Sequence, residues 1–163
     1  MIIKECTADE LGVIHDIAHR TWPVVYASIL STDQLAYMLD RMYSIPVLHE
    51  QLRQGHQFFI CTKDDRPIGF AGFEHHYGTS RSTRLHKLYV LPELHGSGAG
   101  YALLNAVIEA AKNAGDTAIE LNVNRFNLAR HWYQRQGFRI LRNEVIDIGQ
   151  GYVMDDHVME LSF

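Results

Sequence analysis

Between Leu88 and Tyr101 the chain reads Leu-Tyr-Val-Leu-Pro-Glu-Leu-His-Gly-Ser-Gly-Ala-Gly-Tyr. Strand-forming residues run into a proline and a polar turn, and glycines follow at 96, 98 and 100. Leu103, Leu104, Val107, Ile108 and Ala111 then recur at helical spacing. The segment is a strand that turns directly into a helix, so the chain must build a sheet with a helix packed on it. The glycines leave main-chain N–H groups bare and let another molecule approach the backbone. The helix start adds its positive dipole end and its unpaired donors, which suits a phosphate or pyrophosphate. A turn that only joined a strand to a helix would not need three alternating glycines.

With 163 residues, the chain fits one domain, 1–163, with room for a core. A net charge of −4 and a pI near 6.2 leave no general basic field for nucleic acid or an anionic membrane. Cys6 and Cys61 lie far apart without CxxC spacing and read as reduced core thiols of a cytoplasmic protein. The N-terminus, Met-Ile-Ile-Lys-Glu, lacks the apolar core of a signal peptide, and no run approaches the roughly 20 apolar residues of a membrane span.

Along the chain, residues 2–6 read as a strand. Thr7-Ala8-Asp9-Glu10 is a capping box that opens a helix over 8–27. Ser31-Thr32-Asp33-Gln34 is a second box, before the stripe Leu35, Met38, Leu39, Met42. Pro46 opens a third helix that Gly55 ends. Strands follow at 57–62, 68–77 and 83–90, with Asp64-Asp65-Arg66-Pro67 as a turn. Gly69 and Gly72 predict a bulge or close packing within the second of these. The glycine turn, a helix over 98–114 and a strand over 118–123 come next. A helix over 128–136, which Asn127 caps and Gly137 stops, precedes final strands at 138–148 and 152–163. The order predicts an α/β (α+β) fold with a mixed, mostly antiparallel sheet of six to seven strands and helices on both faces.

Two stretches then match a family. Leu88-Tyr89-Val90-x-Pro92-x-x-His95-Gly96-x-Gly98-x-Gly100 resembles motif A of the GCN5-related N-acetyltransferases, Gln/Arg-x-x-Gly-x-Gly/Ala after a strand. Asn127-Leu128-Ala129, Tyr133 and Gly137-Phe138 resemble its motif B. Thr21 to Tyr26, with Gln34 to Leu39, is similar to a bacterial subgroup that includes polyamine acetyltransferases. One departure lies in motif A, where His95 stands in place of Gln or Arg; an imidazole still donates one hydrogen bond to an anion.

The resemblance implies a sheet splayed between its fourth and fifth strands, acetyl-CoA as co-substrate, and direct acetyl transfer to a primary amine, most simply a small molecule. Leu88, Tyr89 and Val90 would pair with the pantetheine arm, and Val90 N–H would polarise the thioester carbonyl. His95, Gly96, Ser97, Gly98, Ala99, Gly100 and Tyr101 would hold the pyrophosphate. Asn127 would bond the pantetheine as well as cap its helix. Tyr133 stands at the family's general-acid position, where it would protonate the departing thiolate; a tyrosine packing on the helix face would look the same. The family's usual acidic base falls on Arg84, which cannot act as one. His86, two residues on along the same strand, resembles a histidine of the arylalkylamine acetyltransferases and has a suitable ordinary pKa of about 6.5. Glu74 on the neighbouring strand, or water, remains open as the base. The acceptor pocket is expected between the first two helices and the last strands, walled by Trp22, Tyr26 and Tyr37, with Asp155, Asp156 or Glu74 for a cationic group. The last two strands often pair two copies of the chain in this family, so a homodimer is implied.

Other readings are weaker. His75, His76, His86 and His95 lack metal-site spacing, so no metal is expected. Tyr101 breaks the dinucleotide-binding glycine pattern, and no Lys-Ser/Thr follows the glycines to make a P-loop. The remaining alternatives are a non-catalytic acyl-CoA-binding module and an acetyltransferase of protein N-termini or lysines.

Overall fold

The computed structural model describes residues 1–163. Seven strands form one sheet: β1 (Ile2–Glu5), β2 (Gln57–Lys63), β3 (Arg66–Glu74), β4 (Ser82–Val90), β5 (Ala118–Asn124), β6 (Arg139–Gly149) and β7 (Tyr152–Ser162). The helices are α1 (Leu11–Val25), α2 (Thr32–Tyr43), α3 (Ile45–Arg53), α4 (Ala99–Asn113) and α5 (Ala129–Arg135). The spatial order is β1-β2-β3-β4-β5-β7-β6, with β4 parallel to β5 and every other neighbour antiparallel. The single parallel pair is the one joined by a helix, α4, as a parallel connection requires.

The helices cover both faces. Phe70 of β3 meets the Tyr43 ring of α2, whereas a Cβ at the adjacent Gly69 would come within 3.2 Å of Leu103 of α4. Gly69 and Gly72 are therefore packing glycines. A Cβ at Gly69 would sit 2.9 Å from the Tyr89 carbonyl oxygen, and one at Gly72 would sit 2.8 Å from the Phe58 ring. The core runs from Leu11, Ile14 and Trp22 of α1 through Phe58, Ile60, Phe70 and Phe73 to Leu103, Leu104 and Val107 of α4.

Local chemistry sets the element boundaries. The first helix opens with a 3-10 turn at Ala8–Glu10, where the Thr7 N–H donates to the Glu10 carboxylate at 3.2 Å. It ends at Val25, and the Tyr26 N–H makes the closing bond to the Trp22 carbonyl at 2.9 Å. At Ser31 only half of the capping box forms. The Ser31 hydroxyl accepts from the Gln34 N–H at 3.1 Å, while the Gln34 amide reaches across to the Val153 carbonyl at 3.3 Å. Asp64 and Asp65 both have positive φ, which closes the β2–β3 hairpin in two residues and leaves Arg66 and Pro67 inside the strand. The same strand stops at Glu74 rather than 77, because the Asp116 carboxylate holds His76 in a left-handed conformation. It accepts from the His76 N–H at 3.0 Å and meets Nδ1 at 2.6 Å.

Opposite Gly72 and Phe73 the β3–β4 register slips: Gly72 pairs with Lys87 and Phe73 with Leu85. The extra residue is His86, so β4 is bulged there. A bulge bends its strand and re-aims the side chain it carries. On the other side of β4, pairing with β5 runs only from Ser82–Ala118 to Leu85–Leu121. Beyond Leu85 the two strands separate, as the family resemblance implied.

Phe58 is fully buried and fills the hollow beside Gly72. Phe58→Ala should lower the free energy of unfolding by about 3–5 kcal/mol with an unchanged denaturant slope, read from urea titrations.

Candidate active site

The gap between β4 and β5 is a cleft of about 760 Å³. One wall is β4 from Leu85 to Val90, the other is β5 from Leu121 to Val123 with the start of α5, and the glycine turn closes one end. Of the cofactor-binding residues read from the sequence, all but Ser97 line it. The Ser97 hydroxyl instead accepts from the Ala99 N–H at 3.4 Å.

The glycine turn leaves a run of backbone donors bare. Gly96 and Gly98 have φ of +83° and +90°, and Gly98 is the cap of α4. The N–H groups of Gly96, Gly98, Gly100 and Tyr101 make no hydrogen bond to other backbone. Gly100 lies under the Trp132 ring of α5, whose Cζ2 would be 3.5 Å from a Cβ there. The His95 ring lines the cleft and bonds the Val90 carbonyl through Nε2 at 3.0 Å, which ties the turn to the end of β4. Asn127 accepts from the Ala129 N–H at 2.9 Å, capping α5, and also lines the cleft.

Tyr133 projects from α5 into the same cleft and is 8 % exposed. Burial first, and then the Tyr26 phenol, push its pKa far above the usual phenol value, so it stays protonated. The Tyr26 and Tyr89 hydroxyls are 3.0 Å apart, and burial raises both of their pKa values too.

A second, smaller cavity of about 200 Å³ lies between α1, α2 and the β5–β7–β6 part of the sheet. Trp22, Leu30, Met38, Met42 and Met154 make its apolar walls; Arg84, Asn122 and Asp156 make its polar floor. It shares Tyr26, Leu85, His86, Tyr89 and Asn122 with the large cleft, so the two meet where the sheet opens. Tyr37 lies outside both linings; its hydroxyl donates to the Ile148 carbonyl at 2.7 Å and anchors the β6–β7 hairpin.

His86 stacks on His56 at 4.7 Å. Glu74 lies between them in charge terms: its Oε1 is 2.7 Å from His56 Nε2 and 3.5 Å from His86 Nε2. His86 Nε2 is buried and makes no hydrogen bond. Burial, then repulsion from His56, Lys87 and Arg84, pushes the His86 pKa from 6.5 down to about 3. Burial also lowers that of His56. Both rings are therefore neutral at physiological pH. Arg84 pairs with Glu120 at 3.1 Å, bonds Asn122 and lies over the Tyr77 ring.

Two neighbours of the site carry no signal in the sequence motifs. His56 precedes β2 in a turn, and only the folded sheet brings it to His86. Lys87 is 4 % exposed, bonds Gln51 at 3.0 Å and has its pKa lowered to about 8, chiefly by burial. Asp156, one of the three carboxylates expected to meet a cationic group, is placed opposite Asn124 by the pairing of β7 with β5.

Residues 13–138 match the acetyltransferase (GNAT) family. The chain is a member of that family. It is 30% identical over 154 residues to an uncharacterized N-acetyltransferase of Mycobacterium tuberculosis, covering 93% of this chain and 95% of that one. Its fold is similar to the PaiA N-acetyltransferase of Thermoplasma acidophilum in complex with coenzyme A. The TM-score is 0.82 at 22% identity, with 100% of both chains covered. A GCN5-related N-acetyltransferase of Rhodopseudomonas palustris matches with a TM-score of 0.84 at 18% identity, over 99% of this chain and 95% of that one. The GNAT protein is thus an acetyl-CoA-dependent N-acetyltransferase on a single mixed sheet. None of its helices is long and apolar enough to cross a membrane.

The depressed His86 pKa has a thermodynamic consequence. Between about pH 6.5 and 3 the unfolded chain binds a proton at His86 that the folded chain refuses. Stability from this group is therefore full above pH 6.5 and falls steadily as pH drops toward 3. His86→Gln should flatten this part of the pH–stability curve by up to about 1.4 kcal/mol per pH unit, measured by urea unfolding at fixed ionic strength.

Proposed function

We propose that this enzyme acetylates the primary amine of a small molecule, with the acceptor in the small cavity and acetyl-CoA in the large cleft. One observation carries the reading: the two cavities share residues only at the opening of the sheet, so an amine and a thioester entering from opposite sides would meet there. The bare N–H groups of Gly96, Gly98, Gly100 and Tyr101 fit the pyrophosphate, and the unpaired β4 edge beyond Leu85 fits the pantetheine amides.

In this reading the acceptor arrives as an ammonium and must lose a proton before it can attack. His86, neutral and with a free Nε2, takes that proton. Glu74 beside it stabilises the imidazolium and passes the charge outward through His56. The amine nitrogen adds to the thioester carbonyl, whose oxygen gains negative charge against the Val90 N–H. Collapse breaks the C–S bond. Tyr133 gives its proton to the thiolate, and the second proton shed by the nitrogen restores the Tyr133 phenol. The depressed pKa makes His86 a weak base when isolated, so the relay to Glu74 is what makes it effective. Trp22 and Tyr26 serve as acceptor walls, while Tyr37 acts indirectly through the hairpin it holds. Two copies of the chain pair through β6, one of the two edges of the sheet, where Leu141 and Val145 are exposed.

Thiol release from acetyl-CoA with a panel of small primary amines and N-terminal peptides tests this reading. Small amines should support turnover and peptides should not; turnover with peptides alone would overturn it. Tyr133→Phe should lower kcat by about 10–1000-fold with coenzyme A affinity unchanged. An unchanged kcat would remove Tyr133 from the chemistry.

A further inference from the structure

The floor of the small cavity carries an unbalanced carboxylate. Asp156 is 1 % exposed and lines the cavity. Its Oδ2 accepts from the Asn122 amide at 3.2 Å, while its Oδ1 is buried with no hydrogen-bond partner in the protein. A buried carboxylate oxygen without a partner is strongly unfavourable unless something meets it.

The surrounding charges do not meet it. Arg84 is held by Glu120 and Asn122. Arg142 lies 3.0 Å from Glu144 and 3.6 Å from Glu120. Asn122 also donates to Glu144, at 3.3 Å. Two guanidinium groups thus serve Glu120, Glu144 and Asp156, and the cluster is one positive charge short. The neighbouring Asp155 adds nothing to the balance, because Arg125 pairs with it at 3.4 Å.

The rest of the cavity offers no second anion to a ligand. Facing Asp156 are Leu30, Met38, Met42, Ile146, Val153 and Met154. Methionines adapt to irregular apolar shapes and do not bind cations as carboxylates do. A ligand that completes this cavity has one cationic head and an apolar body.

We propose that Asp156 is the specificity-determining anion of the acceptor site, binding the ammonium of a primary monoamine with an apolar body through Oδ1. The inference rests on the small cavity being the acceptor site. The ammonium supplies the missing positive charge and hydrogen-bonds the free oxygen. The apolar walls take the body, and the position of Asp156 one strand from Asn122 holds the nitrogen near the mouth shared with the cleft. A diamine gains nothing from its second charge, which finds no unpaired carboxylate along the walls.

The test is equilibrium binding of 2-phenylethylamine, 2-phenylethanol and 1,4-diaminobutane to the full chain with coenzyme A bound, by calorimetry at pH 7. The amine should bind at least about 10-fold tighter than the alcohol, the span of a charge-assisted hydrogen bond. The diamine should bind more weakly than 2-phenylethylamine. In Asp156→Asn the amine should fall to the affinity of the alcohol, with alcohol and coenzyme A affinities unchanged, which also reports that the variant is folded. Equal binding of amine and alcohol to the wild-type chain, a preference that survives in Asp156→Asn, tighter binding of the diamine, or binding of neither aromatic probe would each overturn the proposal. Binding through Asp156 without thiol release from acetyl-CoA would instead overturn the small-molecule acetylation reading and leave Asp156 as the anion of an amine-binding site that is not an acceptor site.

Discussion

β4 and β5 share four paired residues and then part at Leu85 and Leu121. Backbone donors and acceptors that a closed sheet would satisfy internally are left for a ligand. The break coincides with the bulge at His86, where β4 carries one residue more than β3 can pair. Bulges bend and twist a strand, and here the bend falls where the β5 pairing ends. β5 is held straight on its other side, because its pairing with β7 continues to Asn124–Asp156. One strand turns away and the other does not, and the wedge between them is the cleft.

The same opening sets the electrostatics. Groups at the mouth of the wedge lie between the two helical layers, far enough from water for burial to dominate their titration. That is why the His86 pKa falls to about 3, the Lys87 pKa falls to about 8 and the three tyrosine phenols become weaker acids. Each shift favours the neutral form of its group, although Lys87 at about 8 remains mostly cationic at neutral pH. Arg84 pairs with Glu120 and Arg142 with Glu144, whereas Asp156 has no such partner and burial raises its pKa. The site therefore combines a neutral imidazole, a neutral phenol and a carboxylate without a cationic partner around a single junction.

Much of the fold was legible because periodicity and turn chemistry act locally. The glycines at 96, 98 and 100, the stripe of α4 and the Asn127 cap are short-range patterns, and each folds as its residues dictate. Boundaries that depend on distant partners were not legible. β3 ends at Glu74 because Asp116, more than forty residues on, takes hold of His76. The second capping box is half formed because Gln34 prefers Val153 across the fold. The site divides the same way. The cradle is encoded in one stretch, whereas the His56–His86 stack, the burial of Lys87 and the isolation of Asp156 arise only when strands from different parts of the chain are brought into register. The bulge at His86 is invisible in the strand itself, since it is a mismatch between two strands.

The central claim is that the opened β4 edge and the glycine turn together receive coenzyme A. Backbone amide hydrogen exchange, followed with and without saturating coenzyme A, tests it most directly. Segments 86–90 and 96–101 should slow together by at least about 10-fold, while the distal β6–β7 hairpin is unchanged. Protection confined to other segments, or slowing in only one of the two, would contradict the account.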